Sequence, residues 1–268
     1  MKDQCVEITR SKSSRNEKLN TMREYLQAYV LYILQDQGFF QSTAFVGGTC
    51  LRFLYDLPRY SEDLDFSKVG NPKISFNDLT IKLEKELNLA GYNVSLSCTE
   101  QKTVQSAFIR FENIMQEVSL TSDPKQKFSV KIEIDTNPPL GAETTTKLIN
   151  KYFPIAFLSY DLSSLFTGKY HALLSRKYTK GRDLYDLGWY LSRFKDCQPN
   201  FKFLSNALTL TGWRRPMPDE TNWRNLLYEV VNKLDWKKVN EDVVTFLQRP
   251  SDMKALTKEN VLALIKPQ

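Results

Sequence analysis

Apolar residues between positions 17 and 37 recur at spacings of three and four: Leu19, Met22, Leu26, Tyr29, Val30, Ile33 and Leu34. That period predicts a helix buried along one side, closed by Gly38. A second amphipathic stretch, 77 to 90, sets Leu79, Leu83, Leu87 and Ala90 inward and Lys82, Glu84, Lys85 and Glu86 outward, and predicts another helix. Between the two, residues 42 to 46 form a short apolar run that predicts a buried strand. The run leads into Gly47-Gly48-Thr49 and then Leu51 to Tyr55, enough for about two helical turns before Pro58. Three further strands are predicted at 92 to 98, 104 to 112 and 127 to 136. The last is the most legible, because Phe128, Val130, Ile132 and Ile134 alternate with Ser129, Lys131, Glu133 and Asp135. From about 156 onward the spacing is helical, in segments 160 to 177, 182 to 194, 200 to 210, 221 to 234, 239 to 248 and 257 to 265. The first fifteen or so residues are polar and predict a frayed arm. The pattern as a whole reads as α+β: a mixed sheet with flanking helices over 1–155, then a helical bundle over 156–268 packed against it.

Composition narrows the function classes. The chain has 268 residues, 41% hydrophobic and 25% charged, which is globular composition. It has no apolar run long enough to span a bilayer, and its N-terminus lacks the apolar stretch of a secretory signal, so a cytoplasmic location is expected. Four scattered cysteines and one histidine leave no Cys/His metal cluster, and His171 alone makes a histidine-based triad improbable. Any chemistry falls to carboxylates and lysines. A net charge of +6 favours anionic partners such as nucleotides or RNA.

The carboxylates are not randomly placed. If 63 to 67 is a strand, Asp63 and Asp65 share one face while Leu64 and Phe66 share the other. Two like charges side by side need a cation, and Mg²⁺ (or Mn²⁺) takes oxygen ligands and shares them with phosphates. The polar face of 127 to 136 offers a third ligand, Glu133 or Asp135, and the apolar flanks Ile132 and Ile134 favour Glu133. Gly47, Gly48 and Thr49, opening a helix, offer backbone N–H groups and a hydroxyl to a triphosphate. Further along, Lys169 with Arg176 behind it on a helix suits the β and γ phosphates of an NTP. Arg182, Asp183 and Asp186 open the next helix, where capping and an inter-helix salt bridge are the alternative reading. Arg52 and Arg59 either contact phosphate or pair with Asp63 and Glu62.

The order Gly-Gly-Thr, short helix, Asp-x-Asp and a later acid between apolar residues resembles the nucleotidyltransferase superfamily that includes DNA polymerase beta. More narrowly, residues 47–52 (GGTCLR) with 59–66 (RYSEDLDF), and downstream 169–176 (KYHALLSR) with 182–187 (RDLYDL), resemble the AbiEii family of abortive-infection nucleotidyltransferase toxins. The resemblance implies a polymerase beta-like sheet domain, with the helical domain completing the NTP site. It also implies an NTP-dependent nucleotidyltransferase of a type IV toxin-antitoxin system, with its antitoxin encoded by a neighbouring gene. In that family Lys169 and Asp183 match functional positions, and Asp186 contributes.

The expected site therefore comprises Asp63, Asp65, Glu133, Lys169 and Asp183 for catalysis. Gly47, Gly48, Thr49, Arg52, Lys169, Arg176 and Asp186 bind the NTP, and Asp63, Asp65, Glu133 and Asp135 are the candidate metal ligands. The expected reaction is two-metal, in-line transfer of a nucleoside monophosphate to the 3′ end of tRNA with release of pyrophosphate. Other acceptors, a protein or a small molecule such as an antibiotic, stay open. So does a catalytically idle RNA- or antitoxin-binding module, for which Trp189, Trp213, Arg214, Arg215, Trp223 and Arg224 would form the stacking surface.

Overall fold

The computed structural model of the chain describes residues 1–72, 75–176, 178 and 180–266. Its first part runs α1 (Lys2–Arg10), α2 (Arg15–Asp36), β1 (Thr43–Val46), α3 (Gly47–Tyr55), β2 (Asp63–Lys68), α4 (Phe76–Leu89), β3 (Val94–Thr99), β4 (Val104–Phe111), the single turn α5 (Ile114–Glu117), β5 (Phe128–Asp135), β6 (Thr144–Asn150) and β7 (Pro154–Tyr160). Helices follow: α6 (Leu162–Ser175), α7 (Gly181–Arg193), α8 (Phe201–Leu210), α9 (Trp223–Asn232), α10 (Trp236–Val243) and α11 (Lys258–Ile265). Two compact units emerge, neither continuous in sequence. The first is Met1–Asp56, Tyr60–Pro138 and Thr146–Ser159; the second is Leu57–Arg59, Pro139–Thr145 and Tyr160–Gln268.

The seven strands form one mixed sheet in the order β3-β4-β5-β2-β1-β7-β6. β2 lies at its centre, antiparallel to β1 and parallel to β5. Its alternation divides it: Leu64 and Phe66 are buried, while Asp63 and Asp65 are only partly covered. Phe66 packs edge-on against Phe39 with ring centroids 4.8 Å apart and stacks on Phe45 at 5.3 Å, and Phe157 of β7 lies 5.3 Å from Phe45. These aromatic contacts add to the area that the rings remove from water.

Two helices differ from what their sequences suggest. α2 is buried nearly all round, not along one side: Asn20, Thr21, Glu24 and Gln27 are as enclosed as Met22, Leu26 and Val30. It can be so because its polar groups have partners, Glu24 with Arg52 and Gln27 with the carbonyls of Ser61 and Glu62 at 3.1 and 2.8 Å. A capping box at Ser14 and Glu17 starts it. The expected frayed arm is instead α1, with Cys5 and Thr9 buried, Lys2 paired to Glu117 at 2.8 Å and Arg10 donating to the Glu117 carbonyl. Only a few of its residues face inward, too few to show a period.

β7 corrects the expectation of helix from about 156. Its inward residues Ile155, Phe157 and Ser159 alternate with Pro154, Ala156 and Leu158, but Ala156 and Leu158 are themselves apolar and hide the period of two. Helix begins only at Leu162. Lys177, read as the end of this helix, lies outside the described residues. In the second unit, α7 packs against α6, α10 and α11. Gly181 touches the Val239 carbonyl so closely that a methyl group there would collide with it. Trp223 is 2% exposed, with Phe166 and Tyr170 around it, and Tyr170 donates to its carbonyl at 2.8 Å. Trp223 therefore belongs to the core and not to a stacking surface, while Trp213 is half-buried and donates to the Pro216 carbonyl.

Two substitutions test these anchors. Phe66→Ala should destabilise the protein by about 3–5 kcal/mol, and Ser14→Ala, which removes the α2 cap, by about 1 kcal/mol. Urea unfolding followed by circular dichroism reads both.

Candidate active site

In the first unit the site is built around the turn from β1 into α3. Gly47 has a φ of +80°, in the left-handed region, and a Cβ there would overlap the Asp65 carboxylate. Only glycine satisfies both conditions, so the α3 N-terminus can lie directly against Asp65. Val46 is the register partner of Asp65 across the β1–β2 pair. Thr49 is fully buried and its hydroxyl donates to the Asp63 main-chain carbonyl, which ties α3 to the start of β2. Gln27 holds the two carbonyls just before Asp63. Three separate elements thus fix one strand end.

Across the β2–β5 pair, Asp63 is level with Lys131, Asp65 with Glu133, and Ser67 with Asp135. Strand pleating puts all six on one face. Glu133 is therefore the acid beside Asp65, while Asp135 lies two residues further along. Among the described residues, no three carboxylate, imidazole or thiolate side chains converge closely enough to hold a metal ion as they stand. Glu133 is engaged by Lys131, whose Nζ is 2.7 Å from its Oε1. That bond, with Asp63 and Asp65 acting at longer range, raises the Lys131 ammonium above its ordinary pKa. In donor chemistry Asp63, Asp65 and Glu133 suit a hard divalent cation, since all are carboxylates on one sheet face. The third donor already has a cationic partner.

The second unit carries a separate charge cluster. Arg59 makes a two-pronged pair with Asp186, Nε to Oδ1 at 2.6 Å and a terminal nitrogen to Oδ2 at 2.5 Å, with exposures of 2% and 0%. Lys169 bridges Asp186 at 2.7 Å and Asp183 at 2.9 Å, and Arg176 also pairs with Asp183. Three cations against two carboxylates leave one positive charge. Burial alone would raise the Asp183 pKa, but Lys169 and Arg176 outweigh it and hold the carboxyl below its ordinary range. Burial likewise opposes the Lys169 charge, and Asp183 and Asp186 overcome that opposition. Arg176 is the most accessible of the five, at 40%.

The family model described as nucleotidyl transferase AbiEii toxin, type IV TA system, matches residues 29–258. The chain belongs to the AbiEii family of nucleotidyltransferase toxins. Membership carries an antitoxin as partner, since the family is that of a type IV toxin-antitoxin system. Two crystal structures of Helicobacter pylori proteins share the fold at 17% sequence identity. JHP933 has a TM-score of 0.53 over 91% of this chain and 87% of its own. A protein described as a "putative nucleotidyltransferase" has a TM-score of 0.56 over 92% and 91%. No curated protein matches the chain in sequence. Among the described residues, no helix of this AbiEii chain is long and apolar enough to cross a membrane.

Within each unit the fold brings together residues that sequence spacing also groups, and some of the residues expected to bind NTP have partners inside the scaffold. Thr49 directs its hydroxyl at the Asp63 carbonyl, where a phosphate contact was expected. Arg52 is 6% exposed, pairs with Glu24 and lies 4.1 Å over the Tyr60 ring. Glu24 also receives Lys151 at 2.9 Å and the Tyr152 hydroxyl at 3.0 Å. Burial alone would raise the Glu24 pKa, but Arg52 and Lys151 hold it below the ordinary value. Arg59 pairs with Asp186, 127 residues away, and no local spacing signals that partner. Lys131 was legible only as one polar position of β5.

Asp186→Asn leaves Arg59 buried beside a neutral amide and should cost about 3–5 kcal/mol, read by urea unfolding. Asp183 is depressed in the folded state. Its contribution is therefore complete above its unfolded value of about 3.9 and is lost as pH falls through that value toward the folded one. Asp183→Asn should lower stability at neutral pH and flatten its decline below about pH 4, measured by unfolding across a pH series.

Proposed function

We propose that this AbiEii chain transfers a nucleoside monophosphate from an NTP to an acceptor hydroxyl, with the 3′ end of tRNA as acceptor. One observation carries the reading: the Gly47 turn lies against Asp65 while Asp63, Asp65 and the level acid Glu133 share a sheet face. A glycine turn gives a phosphate close approach to backbone N–H groups at a helix N-terminus, and the adjacent acids supply oxygen ligands. Asp63, Asp65 and Glu133 would hold Mg²⁺ or Mn²⁺, which when bound polarises the α-phosphate and neutralises charge on the leaving group. Gly47 and Gly48 keep the backbone open to the phosphates. Lys169 and Arg176 of the second unit bring positive charge for the β and γ phosphates, and Asp183 and Asp186 hold that lysine and arginine in place. The acceptor oxygen bonds to the α-phosphorus as the bond to pyrophosphate breaks, and the hydroxyl proton passes to a carboxylate of the site. Arg52, committed to Glu24, is a structural arginine in this scheme.

Purified protein incubated with Mg²⁺, total tRNA and each α-labelled NTP in turn should place label on tRNA with one preferred base. Asp63→Ala and Asp65→Ala should lose transfer by about 10³-fold or more, the scale seen when one preorganised electrostatic group is removed, while unfolding at the wild-type midpoint. Chelation with EDTA should stop the reaction. Label on protein alone would point to a protein acceptor, and full transfer by either alanine variant would overturn the site.

A further inference from the structure

The acidic face of the first unit already contains a cation of its own. Lys131 is the register partner of Asp63 and is ion-paired to Glu133, the acid level with Asp65. On its other side its Nζ lies 5.5 Å from the ring centroid of Phe108, the residue opposite it on β4. Phe108 is 38% exposed, so the ring is open to solvent on the same polar face. The ammonium thus has two partners within reach, a carboxylate and an aromatic face, and a short rotation of a flexible stem separates them. The side chain is 29% exposed, so such a rotation opens no cavity.

The charges explain why the lysine belongs there. Carboxylates level with one another on neighbouring strands repel, and an ammonium held at Glu133 offsets part of that repulsion where a divalent cation would otherwise do so. An ammonium and a divalent cation on the same Glu133 oxygen compete, because each draws on its lone pairs and the two cations repel. We propose that Lys131 is the resident counter-ion of this site, holding Glu133 while no divalent cation is bound and giving it up when one binds, with the freed ammonium moving onto Phe108. This rests on the reading that Asp63, Asp65 and Glu133 hold the cation. It makes Lys131 a positioning residue: it delivers Glu133 at the moment of loading and keeps the empty site from flying apart or collecting stray cations.

The test is Mn²⁺ binding to the full chain without nucleotide, with free ion followed by electron paramagnetic resonance, for wild type, Lys131→Met, Asp65→Asn, Glu133→Gln and the Lys131→Met/Glu133→Gln double variant. Lys131→Met should bind Mn²⁺ roughly two- to five-fold more tightly, the range set by what a partly exposed ion pair is worth. The gain should vanish in the Glu133→Gln background. Acylation of Lys131 by a soluble amine reagent, read by mass spectrometry, should rise when Mn²⁺ is added to wild type. If Asp65→Asn loses Mn²⁺ but Lys131→Met binds as wild type or more weakly, the lysine proposal fails and the cation site stands. If Asp65→Asn binds as wild type, the cation site itself is wrong and the proposal falls with it.

Discussion

Two aspartates on one face of one strand are the constraint around which the first unit is arranged. Asp63 and Asp65 carry like charges on one strand face, which repel at close range. Every neighbour of β2 addresses that repulsion. Gly47 lets the N-terminal end of α3, with its positive dipole, come against Asp65. Thr49 and Gln27 fix the backbone on either side of Asp63, so the strand cannot shift and turn its carboxylates away. β5 brings Lys131 level with the first of the pair. The aromatic layer beneath, Phe39, Phe45, Phe66 and Phe157, sets the register, since a slip of one residue would bury the acids and expose Phe66.

The second unit meets a related problem differently. The two acids of its charge cluster, Asp183 and Asp186, are buried, and their charges are matched by side chains rather than by an open face. Buried pairs of this kind repay their desolvation only when geometry and additional hydrogen bonds are complete, and Arg59 on one stretch of chain and Lys169 and Arg176 on another supply that completeness. The cluster keeps one charge in excess, and Arg176 is its exposed end. A lysine shared between two aspartates is fully charged and has one orientation, which is what recognition of a polyanion asks of it.

Much of this architecture was legible in the chain. The alternation of β5 and the spacing of α4 follow from apolar and polar residues falling on opposite sides, and the Gly-Gly-Thr and Asp-x-Asp stretches, each commonplace alone, stand out because they follow one another in that order with a short helix between. What escaped did so for physical causes. β7 alternates in burial but not in polarity, since Ala156 and Leu158 sit on its outer side. The polar residues of α2 read as a solvent face until Arg52 and the loop before Asp63 are folded over them. Arg52 reads in sequence as either a phosphate contact or a structural ion pair, and its tertiary partners Glu24 and Tyr60, neither of them signalled by local spacing, hold it in the scaffold. The role of Lys131 depends on register between strands that lie about sixty residues apart in the chain, and periodicity carries no information about that.

The separation of Arg59 from Asp186 has a consequence in time. The short segment Leu57–Arg59 is made with the sheet but belongs to the second unit. Its carboxylate partner follows 127 residues later. At ribosomal rates of 5–20 residues per second, Arg59 exists for roughly 6–25 s before Asp186 has been synthesised. Throughout that interval its guanidinium must remain hydrated, so the segment carrying it cannot settle into its buried position. The helical unit is therefore completed only from its C-terminal side, and no cut of the chain between residues 59 and 186 leaves Arg59 in the same piece as its carboxylate.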